Sequence, residues 1–278
     1  MILASHGIIA SSGVSQFDAD AQAFITAASI SDSTQQTAIN TLVTDLKGYN
    51  IWTKMKAIYP FVGGTASTHK WNLKDPRDLD AAYRLVFNGG WTHSSTGAKP
   101  NGTTAFADTK FNMNTNITPY SMHLAYYSRE DIIGENEVVM GVGNNLGYNA
   151  QDLGIKRNVI YTAQTALFDA SNASALVRTG YTNTDGRGLF IGSITANNSR
   201  KIYKNTSIVA TNTTTATHDL PNANMYIGAY NNYDTGIASA YTNKQTAFAS
   251  IGNGLTDTES ANLYLAVQSF NTTLSRQI

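Results

Sequence analysis

A chain of 278 residues with 19 basic and 19 acidic side chains and no cysteine generates no long-range field for phosphate backbones or anionic lipid, and it offers no disulfide, thiolate nucleophile or cysteine-based metal site. Charged residues make up only 14% of the sequence, well under the roughly 25% usual in globular domains, so Asn, Thr, Ser and Gly supply a polar, nearly uncharged surface. One large core fits this length, since all-β sandwiches of about 200–250 residues often form a single domain; one main domain with a small appendage is expected.

Met1 to Gly13 is apolar in flavour but lacks a basic lead and is interrupted by His6, a poor match to a secretory signal. No run reaches bilayer-spanning length, so a soluble protein is expected, leaving its cell by lysis or assembly. Phe17, Ala21, Phe24, Ile25 and Ala28 fall on one face of a helix, with Ser15 as its cap and Asp18 in its first turn. A second helix begins near Ser31 and aligns Ile39, Leu42, Val43 and Leu46 before Gly48 stops it. Ile51 to Tyr59, with Trp52, Met55 and Tyr59 at helical spacing, reads as a third helical piece closed by Pro60. This unit is too small to hold its own core, so its apolar stripe must rest on something else.

From Phe61 onward the rhythm changes to short β-prone runs divided by Gly, Asn, Asp and Pro. Strands are expected at Ala82–Phe87, Met122–Tyr127, Glu137–Val142, Asn158–Phe168 and Ala175–Thr182. Asp185-Gly186 between Tyr181 and Leu189 reads as a hairpin turn. Gly188–Thr195, Arg200–Lys204, Ile208–Ala210 and Met225–Ala229 follow as successive strands, separated by polar turns. Ala247–Ile251 is a further strand, and Thr256-Asp-Thr-Glu259 is a capping box opening a last helix with Leu263, Val267, Phe270 and Leu274 on one face.

The order of strand, polar turn, Lys201-Ile-Tyr203 strand and Ile227-Gly228 strand resembles the laminin-G-like and concanavalin A-like jelly rolls. Where laminin-G-like domains often carry Asn-Gly after the tyrosine strand, this chain has Asn205-Thr206, and a longer or open hairpin is expected there. The segments Tyr59-Pro-Phe-Val-Gly-Gly-Thr-Ala66, His69-Lys-Trp-Asn-Leu-Lys-Asp-Pro76 and Phe248 through Arg276 are similar to sandwich proteins of tailed-phage virions. The likeness runs from about residue 17 to the end. It implies a mainly β fold, a concanavalin A-like antiparallel sandwich with an N-terminal helical unit and a C-terminal helix. It also implies a tail-, fibre- or head-associated structural role.

Because the resembled fold also includes β-glucanases, paired carboxylates need a test. Glycoside hydrolysis generally uses two carboxyl groups about 5 Å apart for retention and further for inversion. Glu135 and Glu137 would face one side of a strand, but the retaining enzymes of this fold carry Glu-x-Asp-x-x-Glu, and Glu135-Asn-Glu-Val-Val-Met140 lacks the middle Asp and the final Glu. His6, His69, His93, His123 and His218 show no i, i+4 pairing of a helical zinc site. Neither a Gly-x-Ser-x-Gly elbow nor a phosphate-binding loop is present. Asp234 beside Asn231 and Asn232, or Asp185, could hold calcium, yet neither belongs to an alternating acidic loop. No enzymatic activity, metal or cofactor is expected. Asn101, Asn116, Asn172, Asn205, Asn212 and Asn271 head glycosylation triplets that matter only on a eukaryotic secretory route.

Sugar binding asks for less: an aromatic ring against the apolar face of a pyranose, and amide, carboxylate or backbone groups around its hydroxyls. Tyr230, Asn231, Asn232, Tyr233 and Asp234 supply both kinds of group in five consecutive residues, and Trp91, after Asn88-Gly-Gly90, is the second loop aromatic. The expected protein is a non-enzymatic virion component, with residues 1–60 as an anchoring unit and residues 61–278 as the sandwich ending in a helix. It would contact other virion proteins through its N-terminal helices and host-surface glycan through its loops, with no nucleic-acid or membrane partner. A homo-oligomer is expected, trimers being common among fibres. The alternatives are a purely architectural capsid or tail subunit and a glycan hydrolase.

Overall fold

The structure, a computed structural model, describes residues 17–132, 134–135, 137–144, 151–159, 162–170, 178–215 and 220–278. Met1 to Gly13, the cap expected at Ser15, His6, His218 and Asn172 lie outside the described residues. The two N-terminal helices form where the apolar spacing places them, at Ala19–Ala27 and Ser33–Gly48. Asp18, expected in the first turn with Ser15 as the cap, is itself the cap of the first helix, accepting from Asp20 N at 3.0 Å, and Asp32 caps the second by accepting from Gln35 N at 2.8 Å. Lys47, near the end of the second helix, grips Asp18 at 2.7 Å and Asp20 at 2.6 Å, tying the two together. The last helix is Asp257–Thr273. Its capping box is complete: Thr256 Oγ1 accepts from Glu259 N, and Glu259 Oε2 accepts from Thr256 N.

Between the helices lie two sheets. An eight-stranded sheet runs in the order Ser207–Asn212, Ser199–Lys204, Gly188–Ala196, Met122–Ser128, Thr246–Gly252, Gly97–Pro100, Trp91–Ser94, with Met55–Tyr59 also paired to Thr246–Gly252. A ten-stranded sheet runs Arg178–Thr182, Thr162–Ala170, Gln151–Val159, Met140–Gly143, Asn224–Ile227, Phe106–Asn112, Val86–Asn88, and Gly134–Glu135, Tyr230–Asn232 and Ile237–Ser239 attach to it. Among the described residues pairing is antiparallel except where Tyr230–Asn232 meets Met140–Gly143 and Gly134–Glu135 meets Gln151–Val159. The molecule is thus a mainly β jelly-roll sandwich with helices at both ends of the described chain.

Side-chain alternation divides the interior into two cores. Leu124, Tyr126, Phe190, Ala249 and Ile251 point between the sheets, where they meet Ala107, Phe111, Met140, Leu153 and Ile227. Their neighbours Ala125, Tyr127, Leu189, Ile191 and Phe248 point the other way, against Phe24, Leu42, Leu46, Leu263 and Phe270 of the helices. The central strands of the eight-stranded sheet are therefore covered on both faces, and all seven residues of Met122–Ser128 are buried. As the sequence requires, the stripe of the helical unit rests on the sandwich.

Several local expectations are corrected. Ile51–Tyr59 is not a helix: a single 3₁₀ turn at Trp52–Lys54 leads into the strand Met55–Tyr59, because pairing with Ala249 to Gly252 satisfies its backbone. Asn158–Phe168 is not one strand. It spans parts of Gln151–Val159 and Thr162–Ala170, which pair antiparallel. Only the ends of the Ala82–Phe87 and Glu137–Val142 runs enter strands, at Val86–Asn88 and Met140–Gly143. Asp185-Gly186 is a crossing between the sheets, since Arg178–Thr182 and Gly188–Ala196 belong to different ones. Asp185 Oδ1 accepts from Arg187 N at 3.0 Å, and Gly186 N donates to Asp131 Oδ1 at 2.7 Å, which turns the chain without a hairpin ladder. The hairpin at Asn205-Thr206 is tight, with Lys204 opposite Ser207. Asn205 adopts φ +56°, a conformation Asn tolerates, and its Oδ1 accepts from Leu189 N at 3.0 Å.

Candidate functional site

The stretch expected as a sugar-binding loop is mostly a strand. Tyr230–Asn232 pairs with Ile237–Ser239 on one side and Met140–Gly143 on the other, leaving Tyr230, Asn231 and Asn232 only 8%, 7% and 9% exposed. Tyr230 lies across Gly141, where a Cβ would come within 2.9 Å of the Tyr230 ring and 2.6 Å of Val138. Asn231 Nδ2 donates to Asn224 O at 2.7 Å. The expectation of a solvent-facing loop is thus corrected for Tyr230, Asn231 and Asn232, whereas Tyr233 is half-buried and Asp234 exposed.

Trp91 is likewise not a free loop aromatic. It opens the edge strand Trp91–Ser94, donates from Nε1 to Asn88 O at 3.1 Å, and meets Phe87 edge-on at 5.3 Å. Its ring runs against Gly228 at φ +90°, where a Cβ would stand 3.0 Å from it. Trp91 and Tyr233 both pack at the margin of the core between the sheets, while Tyr230 packs with Val138 and Ala240. The six residues therefore form no single platform.

The chemistry-bearing groups considered from sequence also find structural partners. Glu137 is buried, in contact with Lys244 Nζ and accepting from Thr242 Oγ1 at 2.7 Å; the side chain of Glu135 lies outside the described residues. Asp185 is paired with Arg187 at 2.9 Å. His69 and His93, scattered in sequence, meet with their Nδ1 atoms 2.9 Å apart. Burial, His93 and Arg276 together lower His69 to about 3, so the pair is neutral and one Nδ1–H donates to the other ring. Among the described residues no group of three or more His, Asp or Glu side chains converges as metal ligands.

One surface cluster escaped the sequence reading. In Phe106–Asn112 the residues Ala107, Thr109 and Phe111 turn inward, which sends Phe106, Asp108, Lys110 and Asn112 to the outer face of the ten-stranded sheet. The register sets Tyr226 opposite Asp108 and Asn88 opposite Phe106. The rings of Phe106 and Tyr226 stack across the strands at 4.6 Å and 21°. Asp108 accepts from Asn224 Nδ2 at 3.1 Å and pairs with Lys110 at 3.1 Å. Burial, then Asp108 and Tyr241, raise the Tyr226 hydroxyl, which stays protonated and able to donate. Half-buried aromatic surface rimmed by a carboxylate, amides and a phenol is the combination a pyranose requires. The alternation of Phe106 to Asn112 was visible in the sequence; its pairing with a strand far along the chain was not.

No protein-family model and no curated protein matches the chain. Among solved structures it is similar to one of botulinum neurotoxin type C, whose cell entry depends on interaction with two ganglioside molecules (TM-score 0.54, 12% identity, covering 79% of this chain and 53% of that one). It is also similar to the binding domain of botulinum neurotoxin DC in complex with rat synaptotagmin II (TM-score 0.53, 12% identity, 78% and 53% covered). A third is a botulinum neurotoxin serotype D/C binding domain (TM-score 0.50, 13% identity, 78% and 53% covered). The chain thus spans about half the length of these neurotoxin chains. At such identity the likeness defines the fold alone, a two-sheet β-sandwich.

Proposed function

We propose that this chain is a non-enzymatic, glycan-binding sandwich of a tailed-bacteriophage virion, mounted through its N-terminal helices and engaging host-surface sugar with the outer face of its ten-stranded sheet. The stacked Phe106–Tyr226 pair, rimmed by Asp108 and Asn224, is the observation that carries the reading. The dependence of a structurally similar neurotoxin on gangliosides is consistent with sugar recognition on this fold. The virion assignment rests on the sequence likeness of Tyr59 to Ala66, His69 to Pro76 and Phe248 to Arg276. Repeated copies on a particle, a trimer among them, would convert weak single-site contacts into useful avidity. The engagement of Glu137 by Lys244 and Thr242 weighs against a hydrolase.

A glycan array probed with the assembled protein tests this. Tyr226→Ala is expected to weaken binding by up to about tenfold, from a stacking contribution of roughly 0.5–1.5 kcal/mol. No binding to any glycan, together with normal host adsorption of a Phe106→Ala/Tyr226→Ala particle, would overturn the sugar assignment. It would leave the architectural reading, in which the sandwich contacts only neighbouring subunits. That second reading is favoured by the burial of Tyr230, Asn231 and Asn232.

A further inference from the structure

Glu137 and Lys244 come from segments that enter different sheets: Glu137 precedes Met140–Gly143 of the ten-stranded sheet, and Lys244 precedes Thr246–Gly252 of the eight-stranded one. Their side chains are 1% and 0% exposed, and Lys244 Nζ touches Glu137 Oε1. The backbone around both is pinned. Val138 N donates to Ala240 O at 2.8 Å, Thr242 N to Gly228 O at 2.9 Å, and the Tyr126 hydroxyl to Lys244 O at 2.7 Å. Thr242 Oγ1 donates to Glu137 Oε2 at 2.7 Å and accepts from Lys244 N at 3.1 Å. An amine and a carboxyl group are thus held together in a dry site with little freedom to separate, which is the arrangement that makes a bimolecular step effectively unimolecular. Keeping both groups as ions there carries a desolvation penalty, and a neutral amide would not.

We propose that Lys244 and Glu137 condense into an intramolecular amide, a covalent staple between the two sheets of a chain that has no cysteine. A proton passes from the Lys244 ammonium to Glu137 Oε1, leaving a neutral amine and a neutral acid. The Nζ lone pair then forms a bond to Glu137 Cδ, with the negative charge gathering on Oε2, where the Thr242 hydroxyl stabilises it. A second Nζ proton moves to Oε1, the Cδ–Oε1 bond breaks, and Oε1 departs as water. Oε2 remains as the amide carbonyl oxygen. One ammonium and one carboxylate become one amide and one water, with no oxidant or reductant involved. The product joins residues 107 positions apart, closing a long loop and so restricting the unfolded chain as a disulfide would. Thr242 acts as a positioning residue.

Intact-mass spectrometry of the folded wild-type protein, denatured only for the measurement, tests the proposal. The expected mass is lower than that of the sequence by one water, and proteolysis is expected to yield one branched peptide containing both Glu137 and Lys244. Lys244→Arg should restore the sequence mass, because a guanidinium is not a nucleophile at neutral pH. Thr242→Val should leave a measurable uncondensed fraction in a time course after refolding. Should Lys244→Arg not fold, the wild-type mass and the Thr242→Val time course still decide. A folded wild-type protein at the full sequence mass, with Glu137 and Lys244 in separate linear peptides, overturns the proposal and leaves a buried ion pair. So does a water loss that maps to any other residue.

Discussion

Arg276 shows how much of this fold can depend on one side chain. It is fully buried, and its guanidinium donates to Phe61 O at 2.8 Å, Pro60 O at 2.7 Å and Ala247 O at 2.8 Å, while Nε donates to Asn271 Oδ1 at 2.7 Å. Burial, with Arg129 nearby, lowers it to about 9, still protonated at neutral pH. Three distant parts of the chain meet here: the end of the last helix, the chain around Pro60, and the strand containing Ala247. Arg276→Met would strand three carbonyls and an amide, and a loss of about 3–5 kcal/mol is expected in urea unfolding. Arg276→Lys should fall between, keeping the charge and losing the fork. At this scale the sequence was legible only in part. Asn205 and Gly228 could be recognised as turn and strand-end residues, but whether Trp91 and Tyr230 face water depends on Gly228 and Gly141, which reach them through folding. For the same reason Phe106 and Tyr226, far apart in the chain, could not be read as a pair.

Helices were the legible elements because their signals are local. Asp32 with Ile39, Leu42, Val43 and Leu46, or Thr256 and Glu259 with Leu263, Val267 and Phe270, state both the start and the buried face within a few turns. Glu259 does further work in receiving Lys54 Nζ at 2.6 Å, which ties the last helix to the 3₁₀ turn ahead of the first strand. Thr256→Ala removes the cap and is expected to cost about 1 kcal/mol, read as a lowered thermal midpoint with unchanged secondary structure. Met55–Tyr59 was misread because Trp52, Met55 and Tyr59 satisfy a helical period as well as the true pattern, in which only Lys56 is exposed. Its decisive partner, Thr246–Gly252, enters near the other end of the chain. The Asp185-Gly186 crossing was misread likewise: local residues specify a bend, and only the two sheets specify where it leads.

For the whole molecule, two buried histidines set a dependence on acidity. Burial lowers His123 to about 4 and His69 to about 3, both from 6.5. Above pH 6.5 neither state binds a proton at these sites. Below it the unfolded chain takes up protons that the folded one refuses, so stability falls as pH falls, until each folded value is reached. The slope approaches about 1.4 kcal/mol per pH unit for each histidine. Urea midpoints measured from pH 7 to pH 4 should therefore decline, and His123→Gln should flatten the decline. The pairing of His69 with His93 was invisible in the sequence because their spacing fits no helix or strand face.

A sheet clad on both sides also implies a gradient in time. Met122–Ser128 sits between two long strands, with helices above and a second sheet below, whereas Ser207–Asn212 is bonded along one edge and half open to solvent. Deuterium should reach the amides of the outer strand through small local openings and those of Met122–Ser128 only when the entire molecule opens, so the slowest-labelling peptides would report the global unfolding free energy.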